Sequence, residues 1–296
     1  ALAVAACGSR TALESTRSDC SPSEAIALLA AGPTAGAHDV LLRFDPATGV
    51  SAMVGPIDCL GPGPPQPTVM AVDRAGEAYI ATTSIDEMLL RVSTATASCS
   101  PSGFAPSYGG FGLAFTRSPG ADQDTLYVVE RGTQLDALDL GSLSLQPVGP
   151  LRRPAGSSPG GSGSGLPVLL TGTAAGDLYE LDPQPLPPPP PIAPDGGRVA
   201  PSGPQQAARP WAVIWRVDVS TGSETAQWSV AVTSGVPPPQ PQGFVQWGGD
   251  FLFFIAASAV TSEVWRFRPA DGSFAHVADV AAAVLAAGAS TCAPAP

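Results

Sequence analysis

The 296-residue chain contains no asparagine, two histidines (His38 and His276) and five cysteines, and no two cysteines are spaced as Cys-x-x-Cys. Each scarcity removes a class of chemistry. A zinc site of ordinary Cys/His composition lacks its ligands. A Ser/His/Asp triad would have to use His38 or His276, and both fall in stretches that read as strands. No P-loop or dinucleotide fingerprint occurs, because the Gly-rich run at 160–165 has neither the Lys nor the flanking strand and helix. Charged residues make up 13% of the chain, and 14 basic against 25 acidic side chains leave a net charge of −11. No basic run is longer than Arg152-Arg153, which argues against a nucleic-acid partner, since phosphate binding needs clustered cations. The acidity reads as solubility. Helical periodicity is nearly absent, and no run reaches the roughly 18–20 apolar residues of a membrane span.

What is present is a repeat. Leu41-Leu42-Arg43-Phe44-Asp45-Pro46-Ala47-Thr48-Gly49 reads as a strand entering a tight turn, with Pro early and Gly at the exit where φ turns positive. Copies stand at Leu89–Ser93, Leu135–Asp139, Ile214–Asp218 and Val264–Arg268. The aligned positions 45, 93, 139, 218 and 268 differ by 48, 46, 79 and 50. Three of these gaps match the roughly 40–50 residues of a propeller repeat. The long gap holds two low-complexity inserts, a Gly/Ser-rich stretch at 154–165 and a Pro-rich stretch at 183–209 that contains Pro187 to Pro191. Leu178 to Asp182 then reads as the second strand of the fourth unit, with the Pro-rich insert before its third. Each unit has four short strands, so the chain is expected to be all-β: a propeller of five four-stranded blades. The first unit begins at its second strand, near Ala25. Its missing first strand is expected from Val284 to Ser290, so that the two ends of the chain close the ring by pairing.

The first residues, Val4-Ala5-Ala6-Cys7 followed by a polar stretch, resemble a bacterial lipobox. That resemblance makes 1–7 a signal-peptide tail ending in a lipid-bearing Cys7; the polar stretch 8–24 then reads as a tether, 25–291 by its repeat as the propeller, and 292–296 as a tail. It implies a cell-envelope lipoprotein, membrane-bound only through its lipid. Gly8 after the cysteine points to the outer membrane of a Gram-negative bacterium. Export favours disulfides for the remaining cysteines. Four cysteines allow three pairings. Closure of the ring brings Cys20 and Cys292 to its two ends, which leaves Cys59 and Cys99 as the second pair.

Val69-Met70-Ala71-Val72-Asp73-Arg74-Ala75-Gly76-Glu77-Ala78-Tyr79-Ile80-Ala81 resembles the repeat of NHL-type and gluconolactonase-type propellers. Unit three keeps Leu126-Tyr127-Val128-Val129 without the Asp-x-x-Gly turn, and unit five keeps Gly249-Asp250-Phe251-Leu252-Phe253. The gluconolactonase kind implies a divalent metal held over the central channel by carboxylates and Asn. Without asparagine that ligand set does not carry over. The carboxylates near strand ends, Asp73, Asp86, Glu87, Glu130, Asp177 and Asp250, are the candidates for a calcium site, as is Asp122-Gln123-Asp124. The preferred reading of each is a solvated turn. Arg43, Arg91, Arg216 and Arg266 share one repeat slot. They read either as an anion-binding ring or, preferably, as stems packed between blades with heads paired to acids. Trp215, Trp247 and Trp265 read as packing between blades. The function expected is a non-catalytic binding or interaction scaffold for a protein, glycan or small ligand. The alternative is a metal-dependent hydrolase or lactonase.

Overall fold

The computed structural model describes residues 25–34, 37–60, 68–82, 88–105, 111–118, 123–130, 133–153, 168–184, 210–232 and 239–294. Cys7, Cys20, the tether, the Gly/Ser insert and residues 185–209 of the Pro-rich insert lie outside them. The first blade contains β1 (Ile26–Ala30), β2 (Val40–Asp45) and β3 (Val50–Pro56). The second contains β4 (Thr68–Val72), β5 (Glu77–Thr82), β6 (Leu89–Ser93) and β7 (Cys99–Pro101). The third contains β8 (Gly112–Arg117), β9 (Asp124–Glu130), β10 (Gln134–Asp139) and β11 (Ser144–Pro150). The fourth contains β12 (Leu169–Gly172), β13 (Leu178–Pro183), β14 (Ala212–Val217) and β15 (Glu224–Val230). The fifth contains β16 (Gly243–Trp247), β17 (Asp250–Ser258), β18 (Thr261–Arg268) and β19 (Ser273–Val280), and β20 (Val284–Gly288) follows it.

Four blades are antiparallel meanders in chain order, and the first has the order β20-β1-β2-β3. The ring therefore closes as the repeat requires: the last strand supplies the innermost position of the first blade, with Leu28 opposite Ala287 and Leu29 opposite Ala286. This pairing removes the two free sheet edges that an open ring would expose. The protein is a five-bladed β-propeller. The Ala/Val-rich stretch from Val277 to Ala287 divides into the end of β19 and most of β20. Pro183 still belongs to β13, opposite Ala212, so the Pro-rich insert departs beyond it.

The turn after the third strand of every blade has the same geometry. The amide four residues on donates to the carbonyl that opens the turn: Gly49 to Asp45, Ala97 to Ser93, Leu143 to Asp139, Gly222 to Asp218 and Gly272 to Arg268. The donor residue has positive φ in all five, at +71°, +59°, +56°, +74° and +71°. Three of the five are glycine, which takes this conformation without the clash a Cβ suffers.

Core packing follows from the pleat. Successive side chains of a blade point to opposite faces, and each face meets a neighbouring blade, so the core is five seams rather than one centre. Phe44 and Phe254 meet edge-on between the fifth and first blades, with ring centroids 5.4 Å apart. Tyr79 and Phe115 do the same between the second and third at 5.3 Å. The fourth and fifth blades share the most aromatic seam, where Tyr179, Trp211, Trp228, Phe251, Phe253 and Phe274 interlock. Burial falls outward, and the outermost β3 and β11 are largely exposed. Their pairing with β2 and β10 slips register at mid-strand, and so does that of β15 with β14 and β19 with β18. Such bulges twist an edge and make it a poorer template for another strand.

Two further ties act across blades. Cys59, in a 3-10 turn at Asp58–Leu60, is bridged to Cys99 of β7 with Cα atoms 6.1 Å apart, joining the first blade's exit to the second blade's outer strand. The segment after β20 crosses to its neighbours: Ser290 pairs with Val72 and donates through Oγ to the Asp73 carbonyl, Thr291 bonds Asp124 of the third blade, and Gly248 of the fifth donates to the Pro294 carbonyl. Cys292, within this segment, takes part in a disulfide. No helix among the described residues is long and apolar enough to cross a membrane.

Candidate functional site

The ring's axis is bounded by β20, β4, β8, β12 and β16. Side chains there are small or apolar because five inner strands leave little room. A Cβ added at Gly172 would lie 2.1 Å from the Phe115 carbonyl oxygen, and one at Gly112 would lie 2.7 Å from that of Val168. The axial cavity holds about 10 Å³ and is lined by residues such as Met70, Leu113, Leu170, Thr171 and Phe244. The Thr171 hydroxyl accepts the Gln246 amide at 2.9 Å. Among the described residues no carboxylate lines the cavity.

The carboxylates considered as metal ligands are dispersed over different blades. Asp73 accepts the Glu77 amide at 2.8 Å, and burial raises its carboxyl above the usual range. Asp177 pairs with Arg216, Asp250 stands before Arg266 and Arg268, and Glu130 ends β9. Asp124 is held by Arg74 at 2.9 Å and by Thr291. Asp86, Glu87 and Asp122 lie outside the described residues. Among the described residues no three His, Cys, Asp or Glu side chains are placed to hold a metal ion. His38 precedes β2 rather than lying within it, and His276, on exposed β19, contacts Asp279 at 2.9 Å. The two histidines therefore sit on different blades.

The densest polar cluster lies between the third and fourth blades, where the residue pattern had not pointed. The Arg153 guanidinium reaches Glu180 at 2.5 Å, Asp182 at 2.7 Å and Glu224 at 3.3 Å, and lies 5.2 Å from the Trp215 ring centre. Gln184 donates to Asp182 at 2.9 Å. All three carboxylates are buried. Burial first, and then Glu224, pushes the Glu180 carboxyl well above its usual range. Burial would lower the Arg153 value, but the three carboxylates together raise it. Three acids around one cation, with the second Glu180 oxygen buried and without a hydrogen-bond partner among the described residues, make a structural clamp at the seam. The one sequence signal was Glu180 and Asp182, two apart on a strand and hence on one face.

The arginine slot is at the rim. Arg91 pairs with Glu77 at 3.0 Å, Arg216 with Asp177 at 2.6 Å and Arg266 with Asp250 at 3.8 Å. The acid pairing expected for these heads is present, but the side chains are more than 40% exposed rather than packed between blades. Arg43 has no ion pair among the described residues. It lines an open groove of about 470 Å³ between the first and second blades, with Ala25, Ala27, Leu42, Met53 and Thr94. Trp265 stacks on Phe274 at 5.0 Å and Trp247 packs against the seam between the fifth and first blades.

No family model matches the chain, and no curated protein does. Among solved structures, the crystal structure of a nidogen/laminin complex matches over 90% of this chain and 85% of that one, with 10% identity and a TM-score of 0.40. A structural genomics protein of unknown function from Bacteroides thetaiotaomicron matches over 87% of this chain and 60% of that one, with 11% identity and a TM-score of 0.42.

Proposed function

We propose that the protein is a non-catalytic cell-envelope lipoprotein, anchored through lipid on Cys7, whose propeller is a scaffold for binding a ligand or a protein. The observation that carries this reading is the axis. The metal-dependent hydrolases that the repeat resembles gather their ligands over the central channel. Here the channel leaves room for only about 10 Å³, and among the described residues no carboxylate lines it. Open volume lies instead at the rim, in the groove beside Arg43. Pockets of about 300–1,000 Å³ are the usual size for small ligands. The Val4-Ala5-Ala6-Cys7 boundary supports the lipid anchor, and Gly8 after the cysteine supports the outer-membrane address.

Two measurements test the proposal. The full precursor expressed in a Gram-negative host should take up labelled palmitate, and Cys7→Ser should lose both label and membrane association. Purified protein should turn over no member of a panel of lactones and esters. Turnover that tracks a stoichiometric divalent metal would establish the hydrolase alternative instead.

A further inference from the structure

The groove beside Arg43 is a position where the repeat has lost two side chains and kept the third. In the second blade, Arg91 stands opposite Tyr79, and Glu77, two residues before Tyr79 on β5, takes the guanidinium at 3.0 Å. The fourth blade repeats this with Arg216 opposite Tyr179 and Asp177 at 2.6 Å. The fifth has Arg266 opposite Leu252 and Asp250 at 3.8 Å. In the third blade cation and acid are absent together, since Ala137 stands opposite Tyr127 and Thr125 precedes it by two. The first blade alone breaks the rule. Arg43 stands opposite Ala27, and Ala25 occupies the acid's position.

The consequence is geometric. A carboxylate and a tyrosine-sized body are missing from the seam, and the space they fill elsewhere is the open groove of about 470 Å³. Apolar surface of Ala52 and Val54 lines it, Met53 at its edge is 65% exposed, and Arg43 is exposed at its wall. Asp45, two residues along β2, is engaged by its own turn through the Thr48 hydroxyl and the Ala47 amide, both at 2.8 Å. A guanidinium is always charged and matches a carboxylate through two parallel hydrogen bonds.

We propose that this groove is a binding site for a small organic carboxylate with an aromatic or similarly bulky apolar body, the carboxylate on Arg43 and the body over Ala27. Such a ligand restores from outside the ring-and-acid pair that the second and fourth blades carry internally. The inference rests on the reading of the protein as a binding scaffold and names the chemistry of one site on it.

The test is an NMR titration of the full chain, following the Arg Nε–H resonances, with 4-hydroxyphenylacetate as the probe. Acetate supplies the charge without the ring, and 4-methylphenol the ring without the charge. The expected result is saturable movement of the Arg43 signal with 4-hydroxyphenylacetate and a response to either fragment weaker by roughly tenfold or more, the scale of one charge-assisted hydrogen bond. Arg43→Met should abolish binding. Ala27→Tyr and Ala25→Glu should each weaken it by roughly tenfold or more, on the same scale, without lowering Tm. An Arg43 signal that does not move, or binding that persists in Ala27→Tyr, would overturn the site. It would leave the scaffold reading to the turnover assay. Release of the Arg43 signal by Glu24→Gln in unliganded protein would also overturn it, by assigning the groove to the chain's own N-terminal stretch.

Discussion

Replacing Arg153 by methionine removes the one cation from a seam that holds three carboxylates. At an effective dielectric near 20, two unit charges about 4 Å apart attract by roughly 4 kcal/mol, and Arg153 faces Glu180, Asp182 and Glu224 at 2.5–3.3 Å. Desolvation offsets much of that attraction, because the four side chains are 1–14% exposed. Breaking a buried pair by deleting one partner costs about 3–5 kcal/mol. The Arg153→Met variant should lose that amount near neutral pH, a large part of the roughly 5–15 kcal/mol that holds a domain together. Glu180 sets how the loss depends on pH. Its folded-state value is raised by burial, so the folded protein holds a proton that the unfolded chain has released. The associated stability is full below the ordinary value of 4.5 and is lost as pH rises through the folded value. Glu180→Gln has no such proton to lose and keeps an N–H donor at the same position. It should flatten the decline and be more stable than the parent at the alkaline end. Urea midpoints at about pH 5, 6.5 and 8 for the parent, Glu180→Gln and Arg153→Met measure this. The Arg153→Met deficit should shrink toward pH 5 as Glu180 and Asp182 take up protons, both being raised by burial. Asp39, Asp73 and Asp136 are raised by burial as well and slope the same way, so the differences between proteins carry the test. A parent and Glu180→Gln with the same pH slope would refute the reasoning, as would an Arg153→Met cost below about 1 kcal/mol at pH 8, the level of an exposed pair.

Gly272→Ala should cost about 1–2 kcal/mol by thermal or urea unfolding, from its positive φ alone, since no atom lies within 4 Å of the new Cβ. Gly49→Ala should cost more, because its Cβ would lie 3.0 Å from that of Ala278; equal costs would show that the turn conformation alone decides. Replacing residues 186–208 by a short Gly/Ser bridge should cost less than about 2 kcal/mol. The stem is already closed by Pro183 opposite Ala212 and by the Gln184 amide on the Trp211 carbonyl at 2.9 Å, and a larger loss would make the segment part of the core. Non-reducing peptide mapping should yield a Cys20–Cys292 peptide beside the Cys59–Cys99 bridge, whereas a Cys7–Cys292 peptide would refute both that pairing and the lipid on Cys7.

The blade count was readable because a strand–turn unit needs the same residue types each time it is made. A residue of positive φ must follow the third strand, and glycine marks that place at 49, 222 and 272. Ala97 and Leu143 occupy the same place with positive φ, so in the second and third units the strand patterns Leu89–Ser93 and Leu135–Asp139 carry the repeat instead. The closing strand was legible by subtraction, since the first unit lacked a strand and Val284 to Ser290 had no other use. The site was less legible. The arginine slot is visible in the repeat, but its partners depend on strand register: Tyr79, Tyr179 and Ala27 become equivalent only when each is known to stand opposite its arginine. The Arg153 clamp was barely legible for a similar reason, only Glu180 and Asp182 sharing a strand face. Its four members come from two blades and are up to 71 residues apart, and no local pattern joins Arg153 or Glu224 to the other two.

Local chemistry therefore decided what repeats: strand periodicity, turn residues and the unit length are each set within a few residues or by simple counting along the chain. Tertiary structure decided what differs between repeats. A seam joins side chains from two blades, and whether it is filled or open depends on the sum of their volumes and charges. Ala25 and Ala27 are unremarkable in the chain, and become the floor of a groove only because the ring sets them across from Thr94 and Ala95 of the next blade.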